Sequence, residues 1–360
     1  MKRILSLLIL VVVLGTAQAA QKPKYTLYYL DTTRNVVSVG ISADGKTMTA
    51  PKKLTSKGGY DVFDVSPNGR YIVGFTCLRS EKDEDINVVW STHAAFIDDL
   101  QTKPARRTVF DGSYTRFDGV YADWSSKGNY FALQEGEFEV NVSVYSAKTG
   151  KPVVQGCSIT PSVSSDERFL AFSIDSDRGG FVDLKTGVRT WLQSPTIYEA
   201  VWIGDTHKLA WTSTDFTGGL RLADVVSDGK RVTLKNNRIL SSKDFNSLTY
   251  VSGKGLCFYE DKNTAYCSPD LKTVKRTTMP PDLLNNPAVD RMLRGQEDVI
   301  AYQADISPDN KFVACPVTTG KGKTPAIYLF SKSGRLQMIG YGRHPEWKTV
   351  KSNNRSWNDF

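Results

Sequence analysis

The sequence predicts an all-β protein, a seven-bladed β-propeller closed by pairing its C-terminal strand with N-terminal strands, with six blades as the alternative count. Three observations carry this reading. A strand-turn-strand unit recurs along nearly the whole chain, its spacing suits four-stranded sheets, and the two ends hold complementary fragments of one further unit. The composition agrees, because 16 Tyr, 16 Phe, 7 Trp, 28 Gly and 15 Pro among 360 residues favour strands and turns over helices. With 40% hydrophobic residues, one closed repeat can bury a core of this length in a single domain.

The clearest unit is Asp64-Val65-Ser66-Pro67-Asn68-Gly69-Arg70-Tyr71-Ile72-Val73-Gly74-Phe75. Pro67 presets the turn's φ and Gly69 tolerates a positive one. The run from Tyr71 to Phe75 then has the β-branched and aromatic character of a strand covered on both faces. Copies follow at Asp123 to Leu133, Val163 to Phe172, Trp202 to Trp211, Tyr250 to Phe258 and Asp305 to Cys315. Anchored on the residue at the Gly69 position, they stand at 69, 128, 167, 206, 253 and 310, at intervals of 59, 39, 39, 47 and 57 residues. A four-stranded blade with loops of varying length has this repeat.

At the N-terminus, residues 1–19 read as a signal peptide: Lys2 and Arg3, an apolar run from Ile4 to Leu14, then Ala17-Gln18-Ala19. The run is shorter than the roughly 20 apolar residues of a spanning helix, so a stable membrane anchor is not expected and the mature chain should be periplasmic or secreted. Tyr25 to Asp31, Val36 to Ile41 and Lys52 to Thr55 read as three strands with no opening strand before them. Arg343-His344-Pro345-Glu346-Trp347-Lys348 reads as an opening strand with none after it, and Trp347 occupies the motif position of Trp124. The fragments complete one blade, a closure that leaves few exposed edges. The propeller then spans 20–348, with 349–360 as a tail.

The repeat, a hydrophobe followed by Ser-Pro-Asp/Asn-Gly/Asn-Lys/Arg and a strand ending Ala-Phe or Ala-Cys, together with the closing His-Pro-Glu-Trp, resembles that of TolB-type (WD40-like) β-propellers. The resemblance covers Tyr25 to Lys348 and implies the fold, while saying little of activity. TolB-type proteins carry an α/β domain ahead of a six-bladed ring; here the strands begin within a few residues of the expected cleavage site, without that domain.

Five cysteines stand at 77, 157, 257, 267 and 315. If Asp261-Lys262-Asn263 turns a hairpin, Cys257 faces Cys267, and a cross-strand disulfide in an exported chain or two buried thiols are both open. No Cys-x-x-Cys or Cys/His spacing suggests a metal. The net charge of +8 is dispersed, with no basic cluster or stripe of a nucleic-acid binder.

The tryptophans of the repeats, Trp124, Trp202, Trp211 and Trp347, read as core. The acids Asp64, Asp123, Asp305 and Glu346 read as structural, accepting hydrogen bonds from nearby turn amides or hydroxyls. Ligand contact is expected where the connections entering the inner strands converge at one end of the channel. Those connections supply Tyr114, Arg116, Asp118, Tyr198, Glu199, Arg343 and His344, an aromatic and cationic mouth suited to a carboxylated sugar or an extended peptide. Ser80 to Asp85 reads as a solvated acidic link. Pro280 to Glu297 reads as a helix able to lie across the mouth, capped at Asn286 and ended by Gly295. Asp175 to Gly180 reads as a β-turn, since it lacks the later acidic ligand of a Ca²⁺ loop.

There is no Gly-x-Ser-x-Gly motif and no appended hydrolase domain. The alternative is an enzyme such as a metal-dependent polysaccharide lyase acting on acidic oligosaccharides. The seven-bladed oligogalacturonate lyases that this architecture would resemble hold a metal with several histidines at the mouth; of His93, His207 and His344, only His344 is suitably placed. The sequence therefore favours a monomeric, non-catalytic scaffold for an envelope or secreted protein or an anionic glycan, with no cofactor, metal or nucleic acid.

Overall fold

A computed structural model describes the backbone of residues 23–347 outside 84–87, 103–105, 117–121, 135–141, 158, 176–177, 193–196, 214–218, 243–246, 252–254, 262–263, 278–290, 301–302 and 319–322. Seven four-stranded antiparallel sheets follow one another around a ring. Their inner strands, in blade order, are Arg343–Trp347, Val62–Val65, Ala122–Trp124, Ile159–Val163, Ile197–Trp202, Ser247–Val251 and Asp305–Ile306. Blade 1 is the composite. Its inner strand comes from the C-terminus and pairs with Tyr25–Leu30, placing Trp347 opposite Leu27. The chain is therefore a seven-bladed β-propeller closed by its two ends.

The repeated turn works through its serine. In four blades the serine N–H donates to the carbonyl of the aromatic residue five positions on, and the serine Oγ accepts that residue's N–H: Ser66 with Tyr71, Ser125 with Tyr130, Ser164 with Phe169 and Ser307 with Phe312. One residue of each turn has to be left-handed for the chain to reverse so tightly. Gly69, Gly128, Glu167 and Asn310 fill that place with φ of 68, 73, 59 and 57°. Each hydroxyl is satisfied where it is buried, so the turn seals the end of the blade.

Neighbouring turns are joined as well. Asn68 Nδ2 donates to the Lys127 carbonyl at 2.7 Å, Ser126 Oγ to the Ser165 carbonyl at 2.6 Å, and Ser165 Oγ to the Gly204 carbonyl at 3.0 Å. Across the closure Asp309 accepts from Lys24 Nζ at 3.0 Å and Tyr25 Oη at 2.7 Å. Despite the cost of desolvation, these donors hold the Asp309 carboxyl down at about 2.

Around the channel the inner strands are stitched to one another. Asp305 Oδ2 accepts the Trp347 N–H at 2.7 Å, Glu346 Oε1 the Val65 N–H at 3.2 Å, and Glu199 Oε1 the Leu248 N–H at 2.9 Å. The acids Asp305 and Glu346 thus take amides of the next blade's inner strand rather than the expected turn amides. An inner strand has no ladder partner on its channel side, and a carboxylate from the preceding blade answers its outward N–H. Indoles add to this seam: Trp347 Nε1 donates to the Asp305 carbonyl and Trp202 Nε1 to the Ser162 carbonyl, both at 3.0 Å. The four motif tryptophans are buried between blades.

Cys257 faces Cys267 across its hairpin, Cα atoms 4.2 Å apart, and the two are disulfide-bonded. Of the other cysteines, Cys157 and Cys315 are buried, and burial pushes both thiols up to about 12.

Two local expectations change. The acidic link is largely strand, because Tyr71–Asp83 runs through 80–83, and 84–85 lie outside the described residues. The described end of the Pro280 to Glu297 segment packs into blade 7, with Met292 and Leu293 buried against Val313, Cys315, Val317 and Phe330; Asn286 lies outside the described residues. Of the segment Asp175 to Gly180, where the sequence predicts a β-turn, residues 176–177 lie outside the described residues; Arg178 pairs with Asp175 at 2.5 Å and its N–H donates to Asp175 Oδ1 at 2.7 Å, so the carboxylate is neutralised locally.

Candidate ligand-binding mouth

The best-described part of the mouth lies where blade 1 meets blade 2. Asp61, just ahead of the blade 2 inner strand, accepts from the Cys77 N–H at 2.9 Å. Its carboxylate also pairs with Arg34 at 2.7 Å and Arg343 at 3.4 Å. Both arginines come from blade 1, one from the turn after Tyr25–Leu30 and one from the start of the closing strand. Arg34 is further tied down by Nε to the Tyr60 carbonyl at 3.0 Å and Nη2 to the Gly59 carbonyl at 3.2 Å. Arg106 holds the same segment from behind, donating to the Gly58 carbonyl at 3.1 Å while pairing with Asp98 at 3.0 Å. Its guanidinium lies 4.6 Å from the Tyr60 ring centre. Arg343, with one long contact to Asp61 and a side chain 39% exposed, is the cation of this group best able to turn toward a ligand. Two guanidiniums and one carboxylate leave the group one positive charge in excess.

His344 follows in a left-handed conformation, φ 49°, where the register between the closing strand and Tyr25–Leu30 shifts. Burial, with the Arg343 charge beside it and against the pull of Asp61, lowers its pKa from 6.5 to about 4. The imidazole is therefore neutral at ordinary pH. Between those values the unfolded chain takes up a proton that the native state refuses, so stability is full above pH 6.5 and falls as pH drops toward 4. The expected slope is at most about 1.4 kcal/mol per pH unit. Urea midpoints at several pH values should show it, and His344→Gln should flatten the profile in that window.

The other expected site residues are distributed differently. Tyr198 and Glu199 begin the inner strand of blade 5, at the same end of the ring but on a blade not adjacent to Arg343. Tyr198 is 38% exposed, whereas Glu199 spends one oxygen on the Leu248 amide. Tyr114 and Arg116, expected in an entering connection, instead end the outer strand of blade 2, Arg106–Arg116, opposite Thr92 and Trp90. Strand pairing continues past the blade body there, which loop-like residue types did not signal. Asp118 lies outside the described residues. His207 is at the far end, where Nε2 meets Asp166 at 2.7 Å, and His93 is buried opposite Cys77. Arg34 and Asp61 were missed because neither belongs to the repeat; the signal available was Asp61 directly preceding an inner strand.

Among the described residues, no group of three or more His, Cys, Asp or Glu is placed to hold a metal ion, and no helix is long and apolar enough to cross a membrane. No family model and no curated protein matches the chain. Among solved structures, a eukaryotic initiation factor aligns at 12% identity with a TM-score of 0.47, covering 92% of this chain and 99% of that one. The periplasmic gluconolactonase PpgL of Pseudomonas aeruginosa aligns at 12% with a TM-score of 0.37, covering 91% and 99%. The C-terminal WD40 domain of Sif2 aligns at 12% with a TM-score of 0.38, covering 86% and 79%. Likenesses this distant carry nothing about activity, and the propeller is read from the order of the seven sheets themselves.

Proposed function

We propose that this chain is an exported, non-catalytic binding module of the periplasm or exterior, built on a propeller like those of the TolB type. Its partner is a carboxylate-bearing ligand, an anionic glycan or an acidic segment of an envelope or secreted protein, held at the mouth. The observation that supports this reading is the Arg34-Asp61-Arg343 group: a partly exposed guanidinium on a rigid inner strand, with a neutral imidazole next to it. A ligand carboxylate could take a bidentate bond from Arg343 while Asp61 stays with the anchored Arg34. Tyr198 offers a ring at the same end of the channel.

Calorimetric titration with oligogalacturonates and with acidic peptides tests the reading. Arg343→Ala should weaken binding about tenfold or more, the loss expected of one charge-assisted contact, and added salt should weaken the wild type further. Unchanged affinity in Arg343→Ala would remove the mouth from the account. Growth of unsaturated-uronide absorbance, together with metal in the purified protein, would replace the scaffold with a lyase.

A further inference from the structure

Arg70, Arg106, Arg168, Arg189 and Arg335 lie over aromatic rings, and each also bonds an acceptor: Asp99, Asp98, Asp183, the Val153 carbonyl and Asp298 respectively. Arg221 differs. Its guanidinium lies 5.7 Å from the ring centre of Trp211, its Nε is buried without a partner, and no hydrogen bond or ion pair joins it to another of the described residues. Stacking uses the flat face of a guanidinium and leaves the N–H donors in its plane to be satisfied elsewhere. The indole beside it is in the same condition. Trp211 is 2% exposed and its Nε1 has no acceptor, whereas the indoles of Trp202 and Trp347 donate to carbonyls of the preceding blade. Trp124 Nε1 is unpaired as well, so an indole alone decides nothing. What sets Trp211 apart is a second unpaired donor next to it, and buried donors of this kind call for an acceptor.

Ala200, Trp211, Arg221 and Ile239 stand opposite one another across the four strands of blade 5, and directly opposed residues share a face of the sheet. That face looks onto blade 4, because Trp211 packs with Phe169, Ala171 and Phe181 of that blade, and Leu192 of its outer strand lies against the same cluster. Ile239 is 55% exposed, so the row opens to solvent at its outer end. We propose that the slot between blades 4 and 5 binds a monocarboxylate that carries an apolar group. The guanidinium fork takes the carboxylate, the indole N–H adds a donor, and the apolar group lies against Leu192 and Ile239. One cation in a partly buried slot balances one negative charge; a phosphate dianion brings a second, and the row offers no second cation to meet it. Blades 4 and 5 build this site by themselves, so it stands independently of the Arg343 group between blades 1 and 2.

Nuclear magnetic resonance of the isotope-labelled protein reads the indole N–H directly, the Trp211 peak being assigned by its loss in Trp211→Phe. Sodium benzoate, titrated from about 0.1 to 20 mM, should move that peak downfield and saturate, with half-saturation on the order of 1 mM. Acetate, which has the carboxylate without the ring, should bind more weakly than benzoate. Arg221→Gln, its fold confirmed by circular dichroism, should raise the half-saturation at least about tenfold. Calorimetric titration of the wild type and Arg221→Gln with benzoate supplies the same comparison without the assignment, should Trp211→Phe fail to fold. A peak that stays in place throughout, as it would if water answers both donors, overturns the proposal. So does a shift that sodium chloride reproduces, benzoate binding of equal strength in Arg221→Gln, or inorganic phosphate binding as tightly as benzoate.

Discussion

Trp347→Ala should destabilise the protein by about 3–5 kcal/mol, at the large end of single core truncations. Trp347 is buried in a cluster that draws Tyr25, Leu27, Val37 and Val39 from blade 1 and Phe312, Ala314, Ile327 and Leu329 from blade 7. Truncation opens a void between two blades, and relaxation there is limited because both backbones are fixed by their own ladders. It also leaves the Asp305 carbonyl without the indole donor at 3.0 Å. The position matters beyond its volume, since the strand that carries Trp347 is the only part of blade 1 supplied by the C-terminal end. Trp191→Ala is the matched control: the same chemical change at a tryptophan 46% exposed on an outer strand, with an expected cost near or below 1 kcal/mol. Guanidinium unfolding followed by circular dichroism compares the two. Equal costs would mean that the closing strand is not holding the ring.

The architecture was legible because its repeat is a physical device, visible wherever Ser, a turn residue and an aromatic fall at fixed offsets. The closure was legible because Trp347 fits the place of Trp124 while lacking a second strand, and it does stand opposite Leu27. The sense of the inner acids was legible only in part. Asp305 and Glu346 do accept hydrogen bonds from backbone amides, but those belong to the neighbouring blade, and no local pattern encodes a contact between segments about 40 or about 280 residues apart. The mouth was harder still. Arg343 and His344 could be named from the closing strand, whereas their partner Asp61 and the anchor Arg34 are brought to them only by closure of the ring. The strand pairing of 80–83 was not legible because the charged, polar sequence there has a loop's composition, while its pairing is set by the strand beside it.

Glu167 offers the second large effect, and one that separates two causes. It sits at the left-handed turn position with φ 59°, where a residue with a Cβ is strained by about 1–2 kcal/mol, and the matching turns of three other blades put Gly69, Gly128 or Asn310 there. The side chain offsets that strain by binding the preceding blade. One oxygen accepts from Ser125 Oγ at 2.5 Å, the Lys127 N–H at 3.0 Å and the Asn129 N–H at 3.3 Å, and the other from Asn129 Nδ2 at 2.6 Å. Glu167→Ala keeps the strain and strips the acceptor from one buried and three partly buried donors, for an expected loss of about 2–4 kcal/mol. Glu167→Gly loses the same acceptors and relieves the strain, so it should be about 1 kcal/mol milder than alanine. Thermal and urea unfolding of the two variants supply the comparison. Alanine and glycine variants of equal stability would show that the backbone strain is not felt, and two variants as stable as the parent would show that the carboxylate does not join the blades.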